Sequence, residues 1–290
     1  MAITVISTFI EYQKGLNKSD ATLRSYQSDL QVFARWFKEV NHETLSLSKI
    51  TPTDVRAFKK HLIDSGFKAS TISRKLLSIK YLLEWGWKTK RIKYRFPLPK
   101  LVKQASTAPK WLTKTEQNAL IRHFEQVGTT RDIAIIKIFL NTGIRVNELC
   151  QLKWSDITLS ERKGSLVVRN SKGDKYRTLP LNKDARNALH QMSYKTYAGT
   201  DNFVFQGQRG PLTSRGIQLM LKRRISKSNL EPISPHQLRH TFCKNLVDAN
   251  VSLDKVALLA GHEKLDTTKI YCKPSLSDLS DAVERIGEEE

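Results

Sequence analysis

Apolar residues recur at helical intervals through the first third of the chain. Leu23, Tyr26, Leu30, Phe33 and Phe37 fall three or four positions apart, which lays one apolar stripe along a helix. Thr51-Pro52-Thr53-Asp54 supplies a capping threonine, a proline at the first helical position and an acidic third residue, so a helix opens there and runs to about Ser65. Gly66 stops it. Ser70 or Thr71 starts another, with Ile72, Leu76, Ile79, Leu82 and Leu83 inward and Arg74, Lys75 and Lys80 on the other face. About four short helices of this kind make residues 1–96 a helical module.

A second module follows with mixed periods. Thr113-x-x-Glu116 is a capping box, and helices are expected over about 114–126 and 131–142, the latter ended by Gly143. Residues 165–182 change character: LVVRN, then SKGDK, then YRTLPL read as two strands around a glycine-containing turn, a hairpin. Helices resume after Asp184, from about Ser214, from Ser234, and from Ser252 to a stop at Gly261. The fold class expected is α+β, mostly helical, with one small antiparallel sheet in the second module. The divisions are residues 1–96, a linker over 97–110, a second domain over 111–275 and a tail over 276–290.

Charge narrows the partners. The chain has 290 residues, with 49 Lys and Arg against 28 Asp and Glu, a formal charge of +21, and 39% of it is hydrophobic. So much apolar material argues against disorder, and the charge asks for a polyanion, nucleic acid before an anionic membrane surface. Residues 85–115 hold no acidic residue and nine basic ones, among them Lys88, Lys90, Arg91, Lys93 and Arg95. The linker inside this run reads either as a solvated loop or as a segment that tracks DNA. Residues 277–290 reverse the sign, with six acidic residues and one basic. In the tail, Leu276, Leu279, Val283 and Ile286 form a helical stripe. Cys150, Cys243 and Cys272 form no C-x-x-C pair, which points to a reducing compartment. No signal peptide is evident, and no apolar run nears the roughly 20 residues of a membrane helix. A cytoplasmic protein is expected.

The segment ISPHQLRHTFCKNL carries the most chemistry. Ser234 caps a helix, Pro235 suits its first position, and Gln237 completes a capping box. His236 and Arg239 then share one face near the helix N-terminus, where free backbone N–H groups and the helix dipole favour an anion such as phosphate. A buried, satisfied histidine beside a surface arginine is the plainer alternative. His236 and His240 are four apart, a metal-ligand spacing, but the glutamate of H-E-x-x-H is missing and Arg239 between them would repel a dication. No metal site and no cofactor are expected.

GIRVNEL, HQLRH, GHE and IY, in that order, together with the turn SKGDKYR, resemble the tyrosine recombinase (phage integrase) family. The intervals His236 to Arg239, Arg239 to His262 and His262 to Tyr271 are 3, 23 and 9 residues. The resemblance implies a SAM-like core-binding domain followed by a catalytic domain. By it Arg145 takes the first arginine position, Lys172 the β-turn lysine, His236 and Arg239 the H-x-x-R pair, His262 the second histidine, and Tyr271 the nucleophile. Lys175 is the alternative lysine and otherwise, with Arg177, a DNA contact. Glu148 would orient Arg145, and His240 would pack behind the site. Arg74, Lys75, Lys80 and the basic run from Lys88 to Arg95 would line DNA.

The residue types suit phosphoryl transfer. Two arginines can stabilise a five-coordinate phosphate without a divalent ion. A tyrosine with an ordinary pKa of about 10 needs a base, and His236 is the candidate. Lys172 would protonate the leaving 5′ oxygen and His262 would hydrogen-bond the phosphate. A covalent 3′-phosphotyrosine would let strands rejoin without ATP. The family further implies a duplex site with inverted repeats and a homotetramer, or one shared with a related recombinase, exchanging strands through a Holliday junction. The layout resembles Xer proteins and tyrosine-class resolvases of transposons, serving dimer or cointegrate resolution or integration and excision. The tail would dock on a neighbouring protomer, or pack in cis. Rival readings are a type IB topoisomerase and a non-catalytic DNA-binding regulator on the same fold.

Overall fold

A computed structural model describes residues 2–95, 97, 99–102, 109–169, 176–262, 264–272 and 283–284. The chain separates into two units, Met1–Ser106 and Thr107–Glu290.

In the first unit α1 spans Ala2–Gly15, α2 Asp20–Asn41, α3 Pro52–Asp64 and α4 Ala69–Lys88. The expected capping box at Thr51 forms in full: Asp54 N donates to Thr51 Oγ1 at 3.2 Å and Thr51 N donates to Asp54 Oδ2 at 2.8 Å. α4 starts at Ala69 with Lys68 in the cap position, a residue or two before the expected Ser70 or Thr71. Leu23, Leu30, Phe33, Phe37, Ile72, Leu76, Ile79, Leu82 and Leu83 are buried as their spacing predicts. Lys75 corrects its expectation. It lies in the core at 6% exposure rather than on a DNA-facing surface, because Asp29 of α2 is buried opposite it. Asp29 accepts from Lys75 Nζ at 3.3 Å, Arg74 Nη1 at 2.5 Å and Ser78 Oγ at 2.9 Å, a polar tie between α2 and α4. Arg74, Lys80, Lys88, Lys90, Arg91, Lys93 and Arg95 are exposed.

Two segments of the expected linker touch this unit. Lys59 Nζ donates to Lys100 O at 2.7 Å, and Ser73 Oγ donates to Val102 O at 3.4 Å. Residues 103–108 lie outside the described residues, as do Lys172, Lys175 and all of the tail but Val283 and Glu284.

In the second unit come α5 Lys114–Val127, α6 Thr130–Thr142 and α7 Val146–Gln151, then β1 Ile157–Leu159, β2 Gly164–Arg169 and β3 Tyr176–Pro180. These are followed by α8 Lys183–Gln191, α9 Tyr194–Tyr197, a two-residue pair β4 Gln206–Gly207 and β5 Gly210–Pro211, α10 Ser214–Ile225, α11 Pro235–Asp248, α12 Leu253–Ala260 and α13 Asp266–Lys269. The expected hairpin is β2 with β3, and β1 adds an edge, giving the antiparallel order β1-β2-β3. Leu166 pairs with Leu179 and Val168 with Arg177, so the face carrying buried Leu166, Val168 and Leu179 also carries Arg177. Thr113 and Glu116 form the expected box, and Gly143 and Gly261 end α6 and α12 in the left-handed conformation at φ 60° and 66°. Among the described residues no helix is long and apolar enough to cross a membrane. Cys150 and Cys243 are buried free thiols and Cys272 is an exposed one.

Candidate active site

The α11 N-terminus is built nearly as its sequence predicts. Gln237 N donates to Ser234 Oγ at 3.2 Å and Pro235 takes the first turn. The reciprocal half of the box does not form, so only one of the orphan N–H groups there has its side-chain partner. His236 is exposed at this end, and its ring meets that of His240 edge-on with centroids 4.2 Å apart.

Arg239, one helical turn further, is 3% exposed. Its Nη1 donates to Gly143 O at 2.6 Å and its Nη2 to Ala260 O at 2.5 Å. Both carbonyls belong to helix C-termini, where unpaired carbonyls and the negative end of the dipole favour a cation. Burial, with Arg145 nearby, lowers the Arg239 pKa to about 10, which still leaves it charged at neutral pH.

Arg145 stands just before α7. Its Nη1 donates to Glu148 Oε1 at 2.8 Å, its Nη2 to Gly261 O at 2.5 Å, and its backbone N to Glu148 Oε2 at 2.8 Å. Its side chain remains 42% exposed, open to a ligand from the solvent side. Burial would raise the Glu148 carboxyl, but hydrogen bonds from Arg177 and Arg145 dominate and hold it at about 2.

Tyr271 sits in a 3-10 turn, Ile270–Cys272, directly after α13, at 1% exposure. Its hydroxyl is 2.6 Å from His240 Nδ1. Burial and the Cys243 thiol push the Tyr271 pKa above its ordinary value. Burial, then His236 and Arg239, lower His240 to about 4. The proton therefore belongs to the phenol, and Tyr271 Oη donates to a neutral His240. His262 lies with its ring parallel to that of Tyr271, 6.4 Å between centroids, and its Nδ1 is 2.9 Å from the hydroxyl of buried Thr268. Burial, followed by the charges of Arg239 and Arg145, lowers His262 to about 4 as well.

The structure thus gathers Arg145, Glu148, His236, Arg239, His240, His262 and Tyr271 around the α11 N-terminus and the α12 C-terminus. Two assignments change. The imidazole touching the tyrosine is His240, expected only to pack behind the site. Arg177, expected on DNA, is turned inward at 10% side-chain exposure and binds both oxygens of Glu148, at 2.8 and 2.7 Å. Alternation along β3 could have found it, since Arg177 shares a face with buried Leu179. Arg145 and Arg177 share one carboxylate, and Arg239 is held by backbone carbonyls alone, an excess of positive charge that suits a phosphodiester. Among the described residues no group of three His, Cys, Asp or Glu stands close enough to hold a metal ion.

Comparison with known proteins identifies the setting. Residues 110–277 match the model of the phage integrase family, and residues 6–90 match that of the phage integrase N-terminal SAM-like domain. Tyrosine recombinase XerC of Pediococcus pentosaceus is 31% identical over 266 residues, covering 87% of each chain. That of Bacillus licheniformis is 32% identical over 280 residues, 92% of this chain and 90% of its own. Among solved structures, the XerH site-specific recombinase in a post-cleavage complex with a palindromic difH substrate has TM-score 0.76 at 23% identity, over 95% of this chain and 83% of that one. The Tn1549 transposon integrase in complex with transposon right end DNA has TM-score 0.74 at 19% identity, over 99% of both; at these identities the likeness establishes the fold. This chain belongs to the phage integrase family and is a tyrosine recombinase, an enzyme of site-specific DNA strand breakage and rejoining.

Proposed function

We propose that Tyr271 attacks a scissile phosphodiester of duplex DNA, forms a 3′-phosphotyrosyl bond and releases a 5′ hydroxyl, and that the reverse attack by a 5′ hydroxyl of the partner duplex rejoins the strands through a Holliday junction. Arg145 and Arg239 bind the non-bridging oxygens. A guanidinium has five N–H donors, and the carbonyl and carboxylate bonds described above use two on each arginine, which leaves donors for phosphate. Those bonds fix the two cations before DNA arrives, so little reorganisation is needed as charge builds on the transition state. His262 adds a donor to the phosphate, and Lys172 protonates the leaving oxygen.

The buried Tyr271–His240 contact carries this reading. A phenol sealed from solvent and bonded to a neutral imidazole is stored nucleophile, not yet placed on phosphate. DNA binding has to turn it out, and His236, open to solvent on one side at the α11 N-terminus, its pKa lowered by partial desolvation and then by Arg239 and Arg145, is the neutral base that meets it.

The partner is a duplex with inverted repeats, bound by a tetramer of this chain or of this chain with a related recombinase. The acidic tail, 276–290, docks through its apolar stripe on the neighbouring protomer. A groove beside α6 and α11, lined by Leu140, Leu181, Phe242, Leu246 and Leu259 with Lys114 near it, offers a surface of matching chemistry. Deleting residues 275–290 should abolish cooperative assembly; unchanged assembly would mean that the tail packs in cis.

The test of the chemistry uses a duplex selected from a random-sequence pool by binding to the purified chain, then nicked near the cleavage point so that religation fails. The wild type should accumulate a protein–DNA adduct mapping to Tyr271, and Tyr271→Phe none. An adduct formed by Tyr271→Phe, or none formed by the wild type, overturns the proposal.

A further inference from the structure

Among the described residues of the site, Arg177 is a charged group that the mechanism above leaves without work. Its side chain is nine-tenths buried and its Nε has no partner among the described residues. Its guanidinium lies flat against Gly261: a Cβ added to that glycine would come within 3.0 Å of Arg177 Cζ, Nε and Nη1. The same Gly261 presents its carbonyl to Arg145 Nη2 at 2.5 Å, and the same Glu148 binds both arginines. The four residues close a ring, Arg145–Glu148–Arg177–Gly261, that ties α7, β3 and the end of α12 together. A buried cation is a poor choice if the position serves only packing, since an apolar side chain of that volume fills space without losing hydration.

We infer that Arg177 is a positioning residue for DNA cleavage: it occupies both oxygens of Glu148 and so prevents that carboxylate from chelating and neutralising Arg145. The inference rests on the role proposed for Arg145. Each Glu148 oxygen now accepts two bonds, one from each arginine: Oε1 from Arg145 Nη1 and Arg177 Nη1, Oε2 from Arg145 N and Arg177 Nη2. Arg145 consequently makes one side-chain bond to Glu148 and not the fork-to-fork pair that Arg and carboxylate prefer. The charges divide in the same way. One carboxylate shared by two guanidiniums leaves a net positive charge, and the half-exposed Arg145, not the buried Arg177, is placed to offer it to phosphate. Without Arg177, Glu148 would be free to turn, take both Nη groups of Arg145 and draw it from Gly261.

The test compares single-turnover adduct formation at saturating DNA, on the selected nicked duplex and on the same duplex with a neutral methylphosphonate at the scissile position. On phosphate, R177Q should fall by roughly 30- to 100-fold, the scale of a misplaced catalytic group, while its DNA affinity stays within about threefold of wild type. R177K keeps the charge without the fork and should lie between. On the methylphosphonate, where less charge develops, the R177Q deficit relative to wild type should shrink to under about fivefold. E148Q/R177Q, which removes the carboxylate that captures Arg145, should cleave faster than R177Q alone. An equal deficit on both substrates, or a double variant no faster than R177Q, overturns the inference; both would be expected if Arg177 merely held the fold. A wild type that forms no adduct sinks the proposed function, whereas a cleaving wild type with fully active R177Q sinks only this inference.

Discussion

Gly143→Ala is expected to unseat Arg239 as well as destabilise the second unit. Gly143 ends α6 at φ 60°, where an L side chain costs about 1–2 kcal/mol. The added methyl would also meet the Phe242 ring, 2.2 Å from Cδ1 and 2.8 Å from Cε1, deep inside van der Waals contact. Relieving such an overlap by moving a packed ring costs roughly 1–3 kcal/mol. The sum is about 2–5 kcal/mol, or a melting temperature lower by roughly 5–15 °C for a unit of this size. Phe242 lies three residues after Arg239 on α11, and the Gly143 carbonyl is one of the two that hold Arg239. Whatever shift relieves the ring therefore disturbs the guanidinium.

Calorimetry of the full chain provides its own control, because the transition of Thr107–Glu290 should move and that of Met1–Ser106 should not. Phe242→Ala clears the space, so the cost of Gly143→Ala in that background should fall to the backbone share of about 1–2 kcal/mol. A cost below about 1 kcal/mol in the native background, or an equal cost in both, would refute the steric part of the reasoning.

Three further outcomes follow from the same geometry. His240 and His262 titrate at about 4 in the folded chain against 6.5 ordinarily, so their contribution to stability is complete above pH 6.5 and disappears as pH falls toward 4. After discounting for partial solvent contact, the pair should weaken the second unit by about 2 kcal/mol between pH 7 and 4.5, and His240→Gln with His262→Gln should flatten that slope in calorimetry. Asp29→Ala strands Lys75 in the first unit's core and should cost about 3–5 kcal/mol in urea unfolding, whereas Asp29→Ala with Lys75→Met should recover most of it. Lys75→Met alone should leave the salt dependence of DNA binding unchanged, while Lys88→Gln and Lys90→Gln should each reduce its log–log slope by about 0.9.

Local signals in the sequence carried the helices far. The capping residues Thr51, Thr113 and Ser234, and the glycine stops at 143 and 261, depend on neighbours within one turn, and each stands where it was expected. Misplaced residues are those whose partners are remote in sequence. Lys75 has the polarity of a surface residue, and only Asp29, 46 positions away, makes it an interior one. His240 meets Tyr271 across 31 positions, so the choice between it and His236 could not come from the spacing within α11. Arg177 is intermediate. Strand alternation sets it on the face of Leu179, but its charge alone points to the surface, and the compensating carboxylate lies 29 positions earlier. The edge strand β1, three residues long, has too few positions for a period to register.

The glycine stops have a consequence beyond ending helices. Arg145 and Arg239 are like charges held close enough to lower the Arg239 pKa, and in isolation they would separate. What holds them is the negative end of two helices: Gly143 O at the close of α6, Ala260 O and Gly261 O at the close of α12. A left-handed residue reverses the chain at each of these ends, leaving carbonyls that no further turn of helix will use. Each such contact stabilises a cation by roughly 0.3–1 kcal/mol, more when buried, and Arg239 takes two of them in the interior. Arg145 follows Gly143 by two residues and His262 follows Gly261 by one, so the reversal that frees each carbonyl also delivers the next polar side chain into the site. Local chain termination and phosphate chemistry are then one requirement, and a substitution that lets either helix continue should remove catalysis even where the core survives.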